Sequence, residues 1–173
     1  MTTKMVMYAI GPDRPGLVSR LSAVVHNAGG NFEDSRMATL AGDFALLVLF
    51  SADDTAITQI QNDVKKIESE LEITTHFRKA SQKSDAGGTH EYSFEATGHD
   101  RPGIVSRLSA VLSQNDVNVI SMDTSLVNMA FIGTPMFKIK GKVQTPKGTD
   151  IASLRDTLED VCEDMELVLE FSL

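Results

Sequence analysis

Residues 4–10 alternate along the chain, with Met5, Met7 and Ala9 on one side and Val6, Tyr8 and Ile10 on the other, a period of two that predicts a strand. From near Pro15 the period changes. Leu17, Val18, Leu21, Val24, Val25 and Ala28 recur at helical spacing, and Gly29-Gly30 ends that helix. Residues 31–40 and 44–50 then read as a strand pair turned at Ala41-Gly42-Asp43. Ile57, Ile60, Val64, Ile67 and Leu71 form a second helical stripe, and residues 72–78 close the half with a strand.

The pattern then repeats. Strands are expected near 91–97, 118–127, 136–143 and 166–172, with a second helical stripe at Ile151, Leu154, Leu158, Val161 and Met165. Residues 11–24, GPDRPGLVSRLSAV, return at 98–111 as GHDRPGIVSRLSAV, differing only at Pro12/His99 and Leu17/Ile104. Two copies of one unit are therefore expected, 1–80 and 90–173, joined by a small, polar linker at 81–89. The second copy carries extra residues before its last helix, expected mostly around Leu126–Pro135 as a longer connection between the middle strands. The order β-α-β-β-α-β predicts an α+β fold: two tandem ferredoxin-like βαββαβ units, each a four-stranded antiparallel sheet with two helices on one face.

Composition narrows the function. The 173 residues carry a net charge of −8, with no basic cluster, zinc-ligand spacing or recognition-helix signature. Direct nucleic-acid binding is not expected. No apolar run is long enough to span a membrane, and the N-terminal residues lack the apolar core of a secretory signal. The single cysteine, Cys162, suits a reducing compartment, so the chain is read as cytoplasmic. No catalytic residues, metal site or cofactor are expected. His26, His76, His90 and His99 lack ligand spacing, and Ser19 and Ser106 lack a base or oxyanion arrangement.

The chemistry concentrates in D-R-P-G-[LI]-V, which stands between a strand and a helix in each copy. Proline suits a first helical turn, and Asp13 and Asp100 can cap free N–H groups there. Gly16 and Gly103 permit close backbone approach, and exposed N–H groups at such a helix start can hold a carboxylate. A purely structural cap would produce the same residues.

The motif GxDRPG between first strand and first helix, with Asn31 or Asn118 opening the second strand, resembles the ACT domain family along both halves. The run Asn31-Phe32-Glu33-Asp34-Ser35-Arg36-Met37-Ala38, then Leu40 and an apolar strand, resembles the first half of the glycine cleavage system transcriptional repressor family. Gly133-Thr134-Pro135-Met136-Phe137 resembles that family's second repeat. The resemblance implies a small-molecule effector, glycine or another amino acid, bound where a DRPG loop meets a neighbouring domain. It places ligand contacts at Asp13, Arg14, Gly16, Leu17 and Asn31, and at Asp100, Arg101, Gly103, Ile104 and Asn118. The family's serine-binding pattern has Asn where this chain has Asp13 and Asp100. An ionised Asp accepts from an ammonium group but donates nothing to a carboxylate.

The resemblance further implies a regulator without enzymatic activity, acting through a transcription factor at glycine-cleavage genes. The alternative is an effector-binding subunit that regulates an amino-acid metabolic enzyme in trans. Glu33, Asp34, Ser35 and Arg36 read either as a solvated edge strand with internal ion pairs or as a partner-recognition edge. Val6, Tyr8 and Ile10 share the helix-free face with residues of the strand Phe44–Phe50, which is apolar on both sides. The matching face of the second copy is polar, with Ser93, Glu95, Thr97, Lys138, Lys140 and Lys142. The first face is therefore expected to be covered by the second domain, by another copy in a homo-oligomer, or by the regulated partner, the plainer alternative being that the linker or the long 126–135 connection folds over it.

Overall fold

The computed structural model describes residues 2–81, 88–128 and 135–172. The chain divides into two compact units, Met1–Gln82 and Lys83–Leu173. The first comprises β1 (Thr3–Pro12), α1 (Leu17–Asn27), β2 (Asn31–Leu40), β3 (Asp43–Ala52), α2 (Asp54–Leu71) and β4 (Thr74–Lys79). The second comprises β5 (Thr89–His99), α3 (Ile104–Gln114), β6 (Asn118–Asn128), β7 (Pro135–Pro146), α4 (Ile151–Asp164) and β8 (Leu167–Ser172). Each unit is a four-stranded antiparallel sheet, ordered β2-β3-β1-β4 or β6-β7-β5-β8.

The hydrophobic periods explain the layers. Met5, Met7 and Ala9 turn inward from β1 and meet Leu17, Leu21 and Val25 of α1 and Ile57, Ile60 and Val64 of α2. In the second unit Phe94 and Ala96 meet Ile104, Leu108, Leu154 and Leu158. Both helices of each unit thus cover one sheet face, as the two stripes predict. Ala41 and Gly42 both have positive φ, 53° and 91°, and form a two-residue hairpin bend whose twist matches the flanking strands. Asp43 already belongs to β3.

Three expectations change. First, Asp13 and Asp100 do not cap α1 and α3. The N-cap positions are Gly16 and Gly103, with φ of 92° and 94°, and neither helix has a side-chain cap. Arg14-Pro15-Gly16-Leu17 has the form of a type II turn, proline second and a positive-φ glycine third, with Leu17 N donating to Arg14 O at 3.5 Å. Pro15 therefore serves the turn before the helix, not its first helical position. Aspartate caps do occur at the other helices. Asp53 accepts from Ala56 N at 2.8 Å and Asp150 from Ser153 N at 3.1 Å.

Second, the extra length of the second copy is divided. Part lies between β6 and β7, where residues 129–134 stand outside the described residues, as do Gly133 and Thr134 of the expected second-repeat motif. Another part, Lys147-Gly148-Thr149, separates β7 from the α4 cap, whereas β3 runs directly to Asp53. Third, β5 begins at Thr89, inside the segment read as linker, while residues 82–87 of that segment lie outside the described residues.

Cys162 packs in the second core at 1% exposure. Burial, with the nearby Glu159 charge, pushes its thiol up to about 11. Thiolate is the reactive form, so iodoacetamide at neutral pH should leave Cys162 unmodified in the folded chain and label it once denaturant is added. Ready labelling of the folded chain would show that this helix does not pack as described. The equivalent place in the first copy is taken by Glu68, whose carboxylate accepts from the Thr75 hydroxyl and from Thr75 N at 2.8 Å. Burial pushes the Glu68 carboxyl up, but the Thr75 and Lys65 hydrogen bonds outweigh it and hold the group below its usual value.

Candidate functional site

The DRPG loop is built from both sides by glycines that do different work. Gly11 lies where β1 passes the turn between α2 and β4. A Cβ there would sit 2.6 Å from Glu72 O, and one on Gly98 would sit 2.2 Å from Glu166 O. These turns are left-handed at Glu72 (φ 55°) and Glu166 (φ 57°). The loop is thus seated on the turn that follows the unit's second helix. Asp13 N donates to Gly42 O at 2.8 Å, tying it to the β2–β3 bend as well.

This seating brings in residues that sequence reading missed. Arg14 forms an ion pair with Glu72, and Arg101 forms the equivalent pair with Glu166. One turn into the helix, Arg20 pairs with Glu70 at 2.8 Å and Arg107 with Asp164 at 2.9 Å. The Arg20 hydrogen bond and charge hold the Glu70 carboxyl below its usual value. Both pairs recur in both copies, so each loop and first helix is clamped to the end of the second helix by two arginines. The signal was available: Glu72 and Glu166, and Glu70 and Asp164, are acidic residues at matching positions of the two repeats, each 94 residues apart. Nothing local, however, shows that they meet the DRPG loop.

The arginines therefore already hold carboxylates of their own chain. Leu17 and Ile104 are each 2% exposed and turn their side chains into the cores. Their side chains offer a ligand nothing, and the Leu17 N–H already donates to Arg14 O. Asp13 and Asp100 are exposed at the loop tips. The first-turn N–H groups of α1 and α3 have no side-chain cap, and an α-helix leaves its leading N–H groups without intrahelical partners. An exposed carboxylate beside free donors can receive both charged ends of an amino acid: Asp accepts from the ammonium, and the N–H groups donate to the carboxylate.

The asparagines lie elsewhere. Asn31 pairs with Ser51, which stands opposite Lys4 at the start of β1, whereas Asp13 follows the far end of β1. At about 3.3 Å per strand residue the two are roughly 30 Å apart. Asn118 pairs with Gln144, opposite Glu91, and is separated from Asp100 in the same way. No single small ligand can touch both members of either pair within one copy of the fold.

Glu33 occupies the β2 bulge and pairs with Lys4 at 2.5 Å, while Arg36 pairs with Asp34 at 2.5 Å and donates to Ser35 O at 2.8 Å. The Lys4 hydrogen bond holds the Glu33 carboxyl below its usual value. This edge has internal ion pairs and remains exposed. Val6, Tyr8 and Ile10 lie on the sheet face opposite the helices; Ile10 is 58% exposed and Leu47, beside Tyr8, 41%.

The architecture defines a tandem ferredoxin-like α+β protein with one clamped loop per unit. The sequence pattern of the ACT domain matches residues 3–78 and again 94–172, and the chain belongs to the ACT domain family. It is 22% identical over 161 residues to the glycine cleavage system transcriptional repressor of Escherichia coli (strain K12), covering 93% of this chain and 85% of that one. A crystal structure of an unknown protein from Galdieria sulphuraria is 31% identical, with a TM-score of 0.86 over 99% of this chain and 98% of that chain. A crystal structure of a candidate glycine cleavage system transcriptional repressor is 21% identical, with a TM-score of 0.72 over the same shares, and has the same fold.

Proposed function

We propose that this chain is a cytoplasmic amino-acid-sensing regulator that controls transcription of glycine-cleavage genes by contacting a transcription factor. The observation that carries the reading is the repeated DRPG loop. In both copies an exposed aspartate stands beside an uncapped helix start, and the neighbouring arginine is neutralised by the chain's own glutamate. That chemistry suits a small zwitterion. The end-to-end likeness to a glycine cleavage repressor supports glycine metabolism as its setting. Asn31 and Asn118 lie far from the loops of their own copies, so within one copy the loop aspartate and the helix-start N–H groups are the contacts offered to an effector.

The net charge of −8 favours action through another protein. The purified chain should give no sequence-selective gel shift with glycine-cleavage promoter DNA at physiological salt; a tight, selective shift would overturn indirect action. Deleting the gene in its own organism should change glycine-cleavage transcript several-fold and abolish its response to added glycine. Unaltered transcript and response would contradict the regulatory reading.

A further inference from the structure

The charges around each DRPG loop do more than hold it in place. Arg14 is held by Glu72, and Arg20 by Glu70 at 2.8 Å. In the second unit Arg101 is held by Glu166, and Arg107 by Asp164 at 2.9 Å. Each arginine thus has a carboxylate of its own, and the charge left over at each loop is the exposed aspartate, Asp13 or Asp100. The repeats differ in side-chain length at one of these places, Glu70 against Asp164, but keep the sign of the charge at all of them.

The donors beside the aspartate are few. Leu17 N donates to Arg14 O and Arg20 N to Gly16 O, and between them Val18 N and Ser19 N find no backbone acceptor among the described residues. Such a pair of N–H groups at a helix start suits one carboxylate. An amino acid with a second carboxylate needs a further cation, and Arg14, next to Asp13 in the chain, is already engaged. Arg14, Glu72, Arg101 and Glu166 are all about half exposed, so burial does not protect the pairs, and exposed ion pairs are weak in absolute terms. Glu72 nevertheless competes from within the chain, at an effective concentration of about millimolar or more, against an effector free in solution. The uncompensated Asp13 repels an acidic side chain as well. Without Glu72, the planar fork of Arg14 would be open to bidentate pairing with just such a carboxylate. Resting on the amino-acid-sensing reading above, we propose that Glu72 and Glu166 are specificity-determining residues: by occupying Arg14 and Arg101 they restrict the DRPG loops to monocarboxylic amino acids and exclude aspartate and glutamate. Both glutamates act through the arginines they position and do not touch the effector.

Isothermal titration of the full-length chain with glycine, asparagine, aspartate, glutamine and glutamate tests this, because each acid has an amide of the same size. The wild type should bind at least one amide, and bind it at least tenfold more tightly than the matching acid. Raising sodium chloride from about 0.05 M to about 0.5 M should narrow that ratio severalfold, since screening acts on charge and not on shape. A chain with Glu72→Gln and Glu166→Gln should bind the acid at least tenfold more tightly than the wild type does. Adding Arg14→Gln and Arg101→Gln should cancel that gain. A loosened loop weakens every ligand and cannot produce a gain for the acid alone. A wild type that binds glycine but treats amide and acid alike, or excludes the amides together with the acids, overturns the proposal and leaves the sensing reading intact. So does an amide-to-acid ratio that salt leaves unchanged. So does an acid affinity that the substitutions at Glu72 and Glu166 fail to raise in a chain whose circular dichroism is that of the wild type. A wild type that binds no amino acid removes the sensing reading and the proposal together.

Discussion

A chain carrying Gly98→Ala should lose about 3 kcal/mol of stability in its second unit, at the upper end of what overpacking costs. The added carbon would lie 2.2 Å from Glu166 O and 2.8 Å from Leu167 Cα. Both are backbone atoms, so no rotamer change relieves the clash; either β5 or the left-handed turn must move. Gly11→Ala should cost somewhat less, because its nearest backbone atom is 2.6 Å away and the next contact is the Ile73 side chain. Gly16→Ala is the control. Nothing lies within 4 Å of a Cβ there, and only the positive φ of 92° opposes it, a cost of about 1 kcal/mol. Urea unfolding followed by circular dichroism should rank the three as Gly98, Gly11, Gly16. If Gly98→Ala unfolds with the wild type, the DRPG loop is not seated on the turn as described.

Gly141→Val should be comparably damaging, and a second substitution should rescue it. A Cβ on Gly141 would sit 2.2 Å from Phe94 Cε1, against the edge of a ring that is itself buried. The two face each other across β5 and β7, and the corresponding pair in the first unit is Met7 and Val48. One repeat fills the place with a medium pair and the other with a large and a minimal residue. The neighbouring pair changes in the same way, from Met5 and Phe50 to Tyr92 and Val143. Gly141→Val alone should cost about 3 kcal/mol, and Phe94→Met alone, which leaves a gap beside glycine, about 1 kcal/mol. Together they recreate the first unit's pair of Met and Val, and the double variant should lose only about 1 kcal/mol relative to the wild type, a favourable coupling of about 3 kcal/mol. Additive losses in that double variant would mean that the two cores are not equivalent at this layer.

The element order and the inward positions of β1 could be read from the chain because they depend on local period and on the repeat. What escaped the reading depended on contacts distant in sequence. Asp13 looked like a cap by residue type, but Gly16, three positions on, takes the left-handed conformation that opens the helix. Residue type alone leaves Arg14 and Arg101 free for an effector, but Glu72 and Glu166, distant in sequence, occupy them. The family resemblance places effector contacts at both Asp13 and Asn31, which stand at opposite ends of β1 and β2. Their separation follows from strand register, which no local pattern reveals. The apolar face around Tyr8 was legible from alternation alone; the Asp34–Arg36 ion pair at its β2 rim was not.

A sensing role requires that the DRPG loops bind an amino acid. Isothermal titration of the full-length chain with glycine, serine and related amino acids at millimolar concentration should give saturable heat for at least one of them. Replacing Asp13 and Asp100 together by alanine should weaken that binding at least tenfold while leaving the unfolding transition within about 0.5 kcal/mol of the wild type, as expected for exposed side chains that cap no helix. The absence of heat for every amino acid tested, or binding unaffected by loss of both aspartates, would contradict the account.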